Sequence, residues 1–511
     1  MLVGGVVRHE VDDHPHPVPL HLVQPLVAFG LGQTPAAFQR RLDEIETLVD
    51  PVAAELDVGR VLPDRFDVVA RLDHVSRPSL TPEVARRPAA RTIEVEELAG
   101  AKAALEAEGI KGDPNASGKF EFFSWWTAGG EKQGKDDILN LYKQLYPNVE
   151  TVDAAVAGGG GDQAKAVLKT RMQGNDPPDT FQVHGGPELL VGFVEPGLMD
   201  SVQDVWTELK LGDALPKQLQ EMVSKDGVPY AVPSNVHRGN VLFYNKKVFT
   251  DNNLKPPTTW DEFMTVADTL KGKGITPLGV GGKDTWAVTM LFEDLLLANG
   301  GADKFNSLMA GDTDWTDEAV VKSLTSLAEM VTKGYFGDNF SGLTWDAASG
   351  EVLNGKAGMT IMGDWAKGYF QANDPNWAEN FGWEPSPGTA GIFKVITDAF
   401  GLPKGAKNPE NTKNFLRVLG SKTGQVTFNL RKGSIPARTD VDTSQFDVYM
   451  KDAARDFGEA KSLVGSAPHG SATVEAFASQ LNTAINTFVA NPADAAAAAA
   501  GIQQQASDLL K

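Results

Sequence analysis

Apolar positions along most of this chain fall into two periods, and the two alternate. Residues 120–126, Phe-Glu-Phe-Phe-Ser-Trp-Trp, form the short aromatic run expected of a buried strand. Residues 135–146 then place Ile138, Leu139, Tyr142 and Leu145 on one helical face. A second strand is predicted over 149–156, a flexible glycine break over 158–161, and a helix over 164–172. Residues 177–183 read as a turn and a third strand. This alternation predicts a mostly parallel sheet covered by helices.

The pattern then repeats. Residues 241–244 read as a strand, and 260–271 as a helix with Thr258 and Thr259 as cap candidates. An amphipathic helix is predicted over 319–332. A strand over 357–362 runs into Gly363-Asp364-Trp365. A strand over 395–402 precedes a helix over 411–419, and the tail is helical with an alanine run at 495–500. Two sets of α/β units without a short repeat predict two lobes and a cleft. Ligands of such sheets bind at the carboxyl ends of strands. Trp125, Trp126, Gln182 and His184 fall at those ends.

The front of the chain differs in composition. Residues 1–100 hold ten arginines, no lysine, no tryptophan and five of the eight histidines. From Ala101 onward there are 31 lysines, six arginines and all ten tryptophans. Helical spacing recurs around 34–50 and 93–108. The shift favours upstream sequence translated from a mis-assigned start over a separate module. His9, His14, His16 and His21 lack clean ligand spacing, so no metal site is expected there. Residues 106–118 contain Gly, Pro, Asn and Ser and read as a linker, with the main domain starting near Lys119.

Net charge narrows the partners. A formal charge of −20 argues against nucleic acid, which needs a basic surface. Cysteine is absent, which excludes disulfides, thiolate nucleophiles and Cys-ligated metals. No apolar stretch approaches the roughly 18 residues of a spanning helix. The first 22 residues do not read as a signal peptide.

Trp125-Trp126 followed by Gly129-Gly130-Glu131 is the most informative local feature. Indoles at a strand exit can stack on the CH face of a pyranose, and Glu131 supplies an acceptor. Burial of both rings in the core is the competing expectation. His184, His237 and His469 sit in polar or glycine-rich loops, which suits hydrogen bonding to a neutral polar ligand better than zinc. Glu131, Asp364 and Asp398 include possible acid/base pairs of a glycoside hydrolase, but no hydrolase motif accompanies them. Residues 158–165 lack the Gly-Lys-Ser/Thr of a phosphate loop. Trp206, Trp260, Trp315, Trp345, Trp377 and Trp383 are expected in the core.

From Lys119 onward the chain resembles the glucose/mannose-type sugar-binding proteins of ABC importers, within family 1 of the extracellular solute-binding proteins. Phe122-Phe123-Ser124-Trp125-Trp126-Thr127-Ala128-Gly129-Gly130-Glu131 carries the likeness, as do Asn235-Val236-His237-Arg238-Gly239-Asn240 and Pro256-Pro257-Thr258-Thr259-Trp260-Asp261-Glu262-Phe263. Met362-Gly363-Asp364-Trp365 and Lys432-Gly433-Ser434-Ile435-Pro436-Ala437-Arg438 extend it.

The resemblance implies a two-lobed, periplasmic-binding-protein-like α/β fold with a hinge and a central ligand cleft. Lobe I would hold 119–232 and 396–442, and lobe II 233–395 and 443–511. The sugar-binding positions would be Trp125, Trp126, Glu131, Gln182, His184, Trp365, Asp398, Lys432 and His469, with Trp286 and Asp364 as additions. It further implies a monomeric periplasmic or extracellular protein that captures a hexose and delivers it to a membrane permease, with no cofactor, no metal and no catalysis. The family carries an export signal, which this chain does not display. A glycoside hydrolase using Glu131 and Asp398, or a sugar-sensing receptor subunit, are the alternatives.

Overall fold

The computed structural model describes residues 95–158 and 161–510. The chain divides into Met1–Pro88 and Ala89–Lys511. Expectations for the front segment, including the helix at 34–50, its histidines and the mis-assigned start, lie outside the described residues.

In chain order the elements that build the site begin with α1 (Val95–Ala107), β1 (Gly118–Phe123), α2 (Gly129–Leu145) and β2 (Val149–Asp153). Next come α3 (Asp162–Gln173), β3 (Thr180–His184) and the short strands β4 (Met199–Asp200), β5 (Ala231–Pro233) and β6 (His237–Arg238). The middle of the chain supplies β7 (Val241–Asn245), α4 (Trp260–Gly272), β8 (Thr276–Leu278), α5 (Thr285–Ala310), α6 (Glu318–Thr332), β9 (Ala357–Met362) and α7 (Trp365–Asn373). Then follow β10 (Phe381–Pro385), β11 (Ile392–Ile396), β12 (Asp398–Pro403), α8 (Pro409–Gly420), α9 (Lys422–Lys432), β13 (Ser462–Val464), α10 (Glu475–Ala490) and α11 (Ala495–Leu509).

Apart from the strand at 395–402, the elements expected within the described residues form with small shifts at their ends. Thr259 caps α4, and Glu262 completes a reciprocal capping box, so two orphan amide donors are satisfied. The aromatic run of β1 is buried as its composition requires: Phe120 and Phe122 are fully enclosed and pack against Phe415 and Phe400.

The expectation of a mostly parallel sheet needs correction. The first sheet has six strands, in the order β2-β1-β3-β12-β4 with β5 also on β12. Its β1 pairs are parallel, but β12 is antiparallel to β3, β4 and β5. In the second sheet, β8-β9-β7-β10, only β8 and β9 are parallel. The added strands return to each sheet from the other half of the fold, so they arrive against the direction set by the local βαβ units.

The strand expected over 395–402 is two strands in different sheets. β11 pairs with β6, matching Val395 to Arg238 and Ile396 to His237. Directly after Thr397, β12 pairs with β5, matching Ala399 to Pro233. Residues 231–238 and 392–403 therefore run antiparallel as they pass from one sheet to the other. Thr397 is fully buried at the crossing, and its hydroxyl donates to the Asn235 carbonyl at 2.6 Å.

The fold also begins ahead of Lys119. Leu105 and Ile110 are buried, and the Glu108 carboxylate accepts from the amides of Lys422 and Thr423 at 2.9 Å each, capping α9. The polar composition of 106–118 hides a docked segment, because capping itself uses polar side chains.

Candidate functional site

Asp398 opens β12 just beyond the crossing and is buried among donors. Gln182 Nε2 donates to its Oδ1 at 2.7 Å, and Asn235 Nδ2 to its Oδ2 at 2.8 Å. His237 Nε2 and Lys432 Nζ each lie 3.6 Å from Oδ2. Burial alone would raise this carboxyl, but Lys432 and His237 hold it well below the usual carboxylate range.

Lys432 is the last residue of α9 and Glu131 lies in the first turn of α2. Cations favour helix C-termini and carboxylates N-termini, so each helix end suits its charge. The two meet at 2.5 Å, Nζ to Oε1. Burial works against the Lys432 ammonium, yet Glu131 and Asp398 raise its pKa above the ordinary value. Gly433 follows with φ 102, and a Cβ there would stand 2.6 Å from the Asp364 carbonyl. Only glycine permits that turn beside α7.

Three histidines surround this charge cluster. At the end of β3, His184 Nδ1 donates to Glu188 Oε2 at 2.9 Å. Burial would raise Glu188, but Lys165 and His184 hold it at about 2, so it is a pure acceptor. On β6, His237 Nδ1 bonds the Asp364 carboxylate. Burial and Lys432 oppose its protonation, but Asp364 and Asp398 prevail and raise its pKa. His469, in the loop after β13, is held neutral, well below its ordinary value, chiefly by burial and then by the neighbouring His184 and Lys165.

These groups line a cavity of about 40 Å³, walled by Trp125, Glu131, His184, His237, Trp286, Trp365, Asp398, Lys432 and His469, with Gly158, Trp345 and Ile396. The ring of Trp365 packs 5.2 Å from His469 and 5.9 Å from Trp286. A wider space of about 420 Å³ adjoins it, sharing Trp125, Glu131, Gly158, Trp345 and Trp365 and adding Tyr369, Gln133 and Asn373. Two buried polar atoms of the inner wall make no hydrogen bond within the protein, Trp286 Nε1 and His237 Nε2, the latter 3.6 Å from Asp398 Oδ2.

Eight of the eleven expected site residues line the inner cavity. Trp126, Gln182 and Asp364 do not. Trp126 packs against Phe400 and Phe428 and carries the Lys432 ammonium 5.0 Å from its ring centre. Gln182 spends its amide on Asp398 and accepts from the Trp125 amide at 3.1 Å. Asp364 is committed to His237, the Arg238 amide and the Tyr449 hydroxyl, the last two at 3.1 Å. All three hold other wall residues in place.

His237, expected with His184 and His469 to hydrogen-bond a ligand but not among the family-implied positions, lines the inner cavity, whereas sequence reasoning left Trp345 and Asn235 off the site. Trp345, expected in the core, lines both spaces. The polar run 234–240 was the available signal for Asn235. The glycine break has a definite role at Gly161. Its φ is 85°, and a Cβ would lie 2.7 Å from the Trp125 ring. Among the described residues, no three His, Asp or Glu groups are placed to hold a metal ion.

Comparison with known proteins identifies the family. The model of the bacterial extracellular solute-binding protein family matches residues 121–426. An uncharacterized ABC transporter extracellular-binding protein of Pyrococcus horikoshii is 36% identical over 395 residues, covering 77% of this chain and 88% of its own. A "Probable sugar-binding periplasmic protein" of Brucella melitensis is 33% identical over 356 residues, covering 68% and 83%. Among solved structures, a chitin oligosaccharide binding protein superposes with a TM-score of 0.69 at 21% identity, covering 77% of this chain and 99% of its own. The bacterial solute receptor AcbH, described as preferring β-D-galactopyranose, gives 0.68 at 22% identity, with 77% and 98% covered. These likenesses identify the fold as the two-lobed α/β fold with a central cleft. With a family match across more than half of its length, this chain belongs to the bacterial extracellular solute-binding proteins.

Proposed function

We propose that this chain is the substrate-binding component of an ABC sugar importer, and that it captures a monosaccharide, glucose or a close hexose, between its lobes. One observation carries the reading: indoles of Trp125, Trp286 and Trp365 share a buried wall with Glu131, Asp398, Lys432 and three histidines. Flat apolar faces suit the CH face of a pyranose, and the charged and neutral polar groups suit its hydroxyls. Trp286 Nε1, which makes no hydrogen bond within the protein, is free to donate to a polar ligand.

Lobe I comprises 119–232 and 396–442, and lobe II 233–395 and 443–511, in this proposal. The paired crossings at 231–238 and 392–403 serve as the hinge. An inner cavity of about 40 Å³ has room for a water or so, not a sugar ring. The sugar therefore enters an open form and favours the closed one by bridging both lobes. A monomer, located in the periplasm or outside the cell, then docks on a membrane permease.

A hydrolase would need one carboxyl kept protonated as general acid. Asp398 is held far below that range, and Lys432 faces both Asp398 and Glu131. Binding without turnover is the better fit to this electrostatics. Calorimetric titration of the full chain with glucose, galactose, mannose and maltose tests the proposal. One-to-one binding of a hexose, with a tryptophan fluorescence change lost in Trp125→Ala, is the expected result. Turnover of a nitrophenyl glycoside, abolished in Asp398→Asn, would overturn it.

A further inference from the structure

A buried charge cluster stands behind the cavity and touches no ligand position directly. Lys394 of β11 and Glu293 and Asp294 of α5 are fully enclosed. The Lys394 ammonium reaches Asp294 Oδ1 at 2.6 Å, Glu293 Oε2 at 3.2 Å and the Met290 carbonyl at 3.1 Å. Glu293 has a second engagement. Its Oε1 accepts from the Ala467 amide at 2.6 Å, and its Oε2 from the Ser466 hydroxyl at 2.9 Å. The Ser466 Oγ in turn lies 3.2 Å from His469 Nδ1.

The order of protons along this line follows from what each group can do. A carboxylate only accepts, so Ser466 must give its single hydroxyl proton to Glu293. Ser466 then has only lone pairs left for His469, and Nδ1 must carry the imidazole proton. A neutral imidazole has one proton, which leaves Nε2 bare. We propose that Glu293, acting through Ser466, fixes the proton of His469 on Nδ1 and so makes Nε2 a hydrogen-bond acceptor for the central cavity.

Burial raises the Glu293 carboxyl above its ordinary value, opposed by Lys394, the Ala467 amide and the Ser466 hydroxyl; the ammonium and two donors converging on its oxygens are the geometry of an ionised carboxylate. Were Glu293 protonated instead, it would donate to Ser466, Ser466 would donate to Nδ1, and the imidazole proton would sit on Nε2. The two arrangements are mutually exclusive. They also select opposite ligands. A bare Nε2 takes a ligand O–H or N–H and refuses an ether or carbonyl oxygen, which would leave a buried lone pair unpaired. The consequence for ligand choice rests on the sugar-binding reading; the proton assignment does not.

Glu293 and Ser466 are thus positioning residues, and the test reads the proton itself. Long-range ¹H–¹⁵N correlation spectra of the ¹⁵N-labelled full chain report the tautomer of each histidine ring, and His469→Asn identifies the His469 signals. The expected spectrum has protonated Nδ1 and bare Nε2 at His469. Ser466→Ala shifts the ring toward the Nε2–H form, Ser466→Thr retains the original, and Glu293→Gln moves the proton as Ser466→Ala does. D-Glucose affinity falls about three- to tenfold in Ser466→Ala, the scale of one neutral hydrogen bond. An Nε2–H ring in the unaltered chain, or no change in Ser466→Ala, overturns the proposal. The expected tautomers without binding of any hexose uphold the proton relay and sink the sugar reading instead.

Discussion

Gln182 Nε2 donates to Asp398 Oδ1 at 2.7 Å, while the same side chain's Oε1 accepts from the Trp125 amide at 3.1 Å. One buried amide thus sets both a carboxylate and an indole of the cavity wall. Gln182→Met keeps the bulk and removes both bonds. Hexose affinity should fall about tenfold, the equivalent of about 1.4 kcal/mol, in calorimetric titration. An unchanged affinity would mean that Asn235 alone orients Asp398.

His469 makes stability depend on pH in a defined direction. Its imidazole is held neutral in the folded chain, well below the ordinary value of about 6.5. Below that pH the unfolded chain binds the extra proton and the folded chain does not. Stability therefore falls as pH drops through about 6.5 toward the depressed folded value. The stability of the natural chain minus that of His469→Asn should decline between pH 8 and pH 5, by at most about 1.4 kcal/mol per pH unit. Urea midpoints at several pH values measure it. His237 is present in both chains and cancels from the difference, which should not rise on acidification.

Gly161 supports Trp125 through its lack of a side chain. In Gly161→Ala the new methyl meets the indole at 2.7 Å and the backbone is held at φ 85°. A loss of about 1–2 kcal/mol in folding stability is expected from the conformation alone. Displacement of the ring should weaken sugar binding and alter tryptophan fluorescence. Normal affinity and emission would separate the loop from the site.

Removing the Lys394 ammonium leaves Glu293 and Asp294 enclosed without their cation. Lys394→Met should cost about 3–5 kcal/mol, the range for breaking a buried ion pair from one side. Adding Asp294→Asn to Lys394→Met should recover part of the loss. Chemical denaturation of the two variants decides the matter, and an additive further loss would contradict the charge argument.

The segment before Lys119 should contribute to folding. A chain starting at Val95 retains Leu105, Ile110 and the Glu108 cap on α9, whereas one starting at Lys119 loses all three. The shorter chain should be less stable by about 3–6 kcal/mol, from two buried aliphatic side chains at about 1.5–3 kcal/mol each. Equal thermal midpoints would return the boundary to Lys119.

The sequence by itself determined the secondary elements, and with them much of the site's composition. Period and turn chemistry are local, so the α/β alternation, the α4 cap and the strand 357–362 could be read directly. Indoles at a strand exit and histidines in polar loops announced an aromatic and polar wall, and Trp125, Glu131, His184, Asp398, Lys432 and His469 do converge on one cavity. Tertiary structure alone decided which of these groups face that cavity and which stand behind it. Gln182, Asp364 and Trp126 have the same chemistry as ligand-binding residues, but partners 216, 127 and about 300 positions away in sequence claim their polar atoms or faces. The split of 395–402 at Thr397 was equally hidden, because an unbroken apolar run is consistent with one strand or with two that pair in different sheets. Strand pairing, ion pairing and proton direction are set by distant neighbours, and local periodicity carries no record of them.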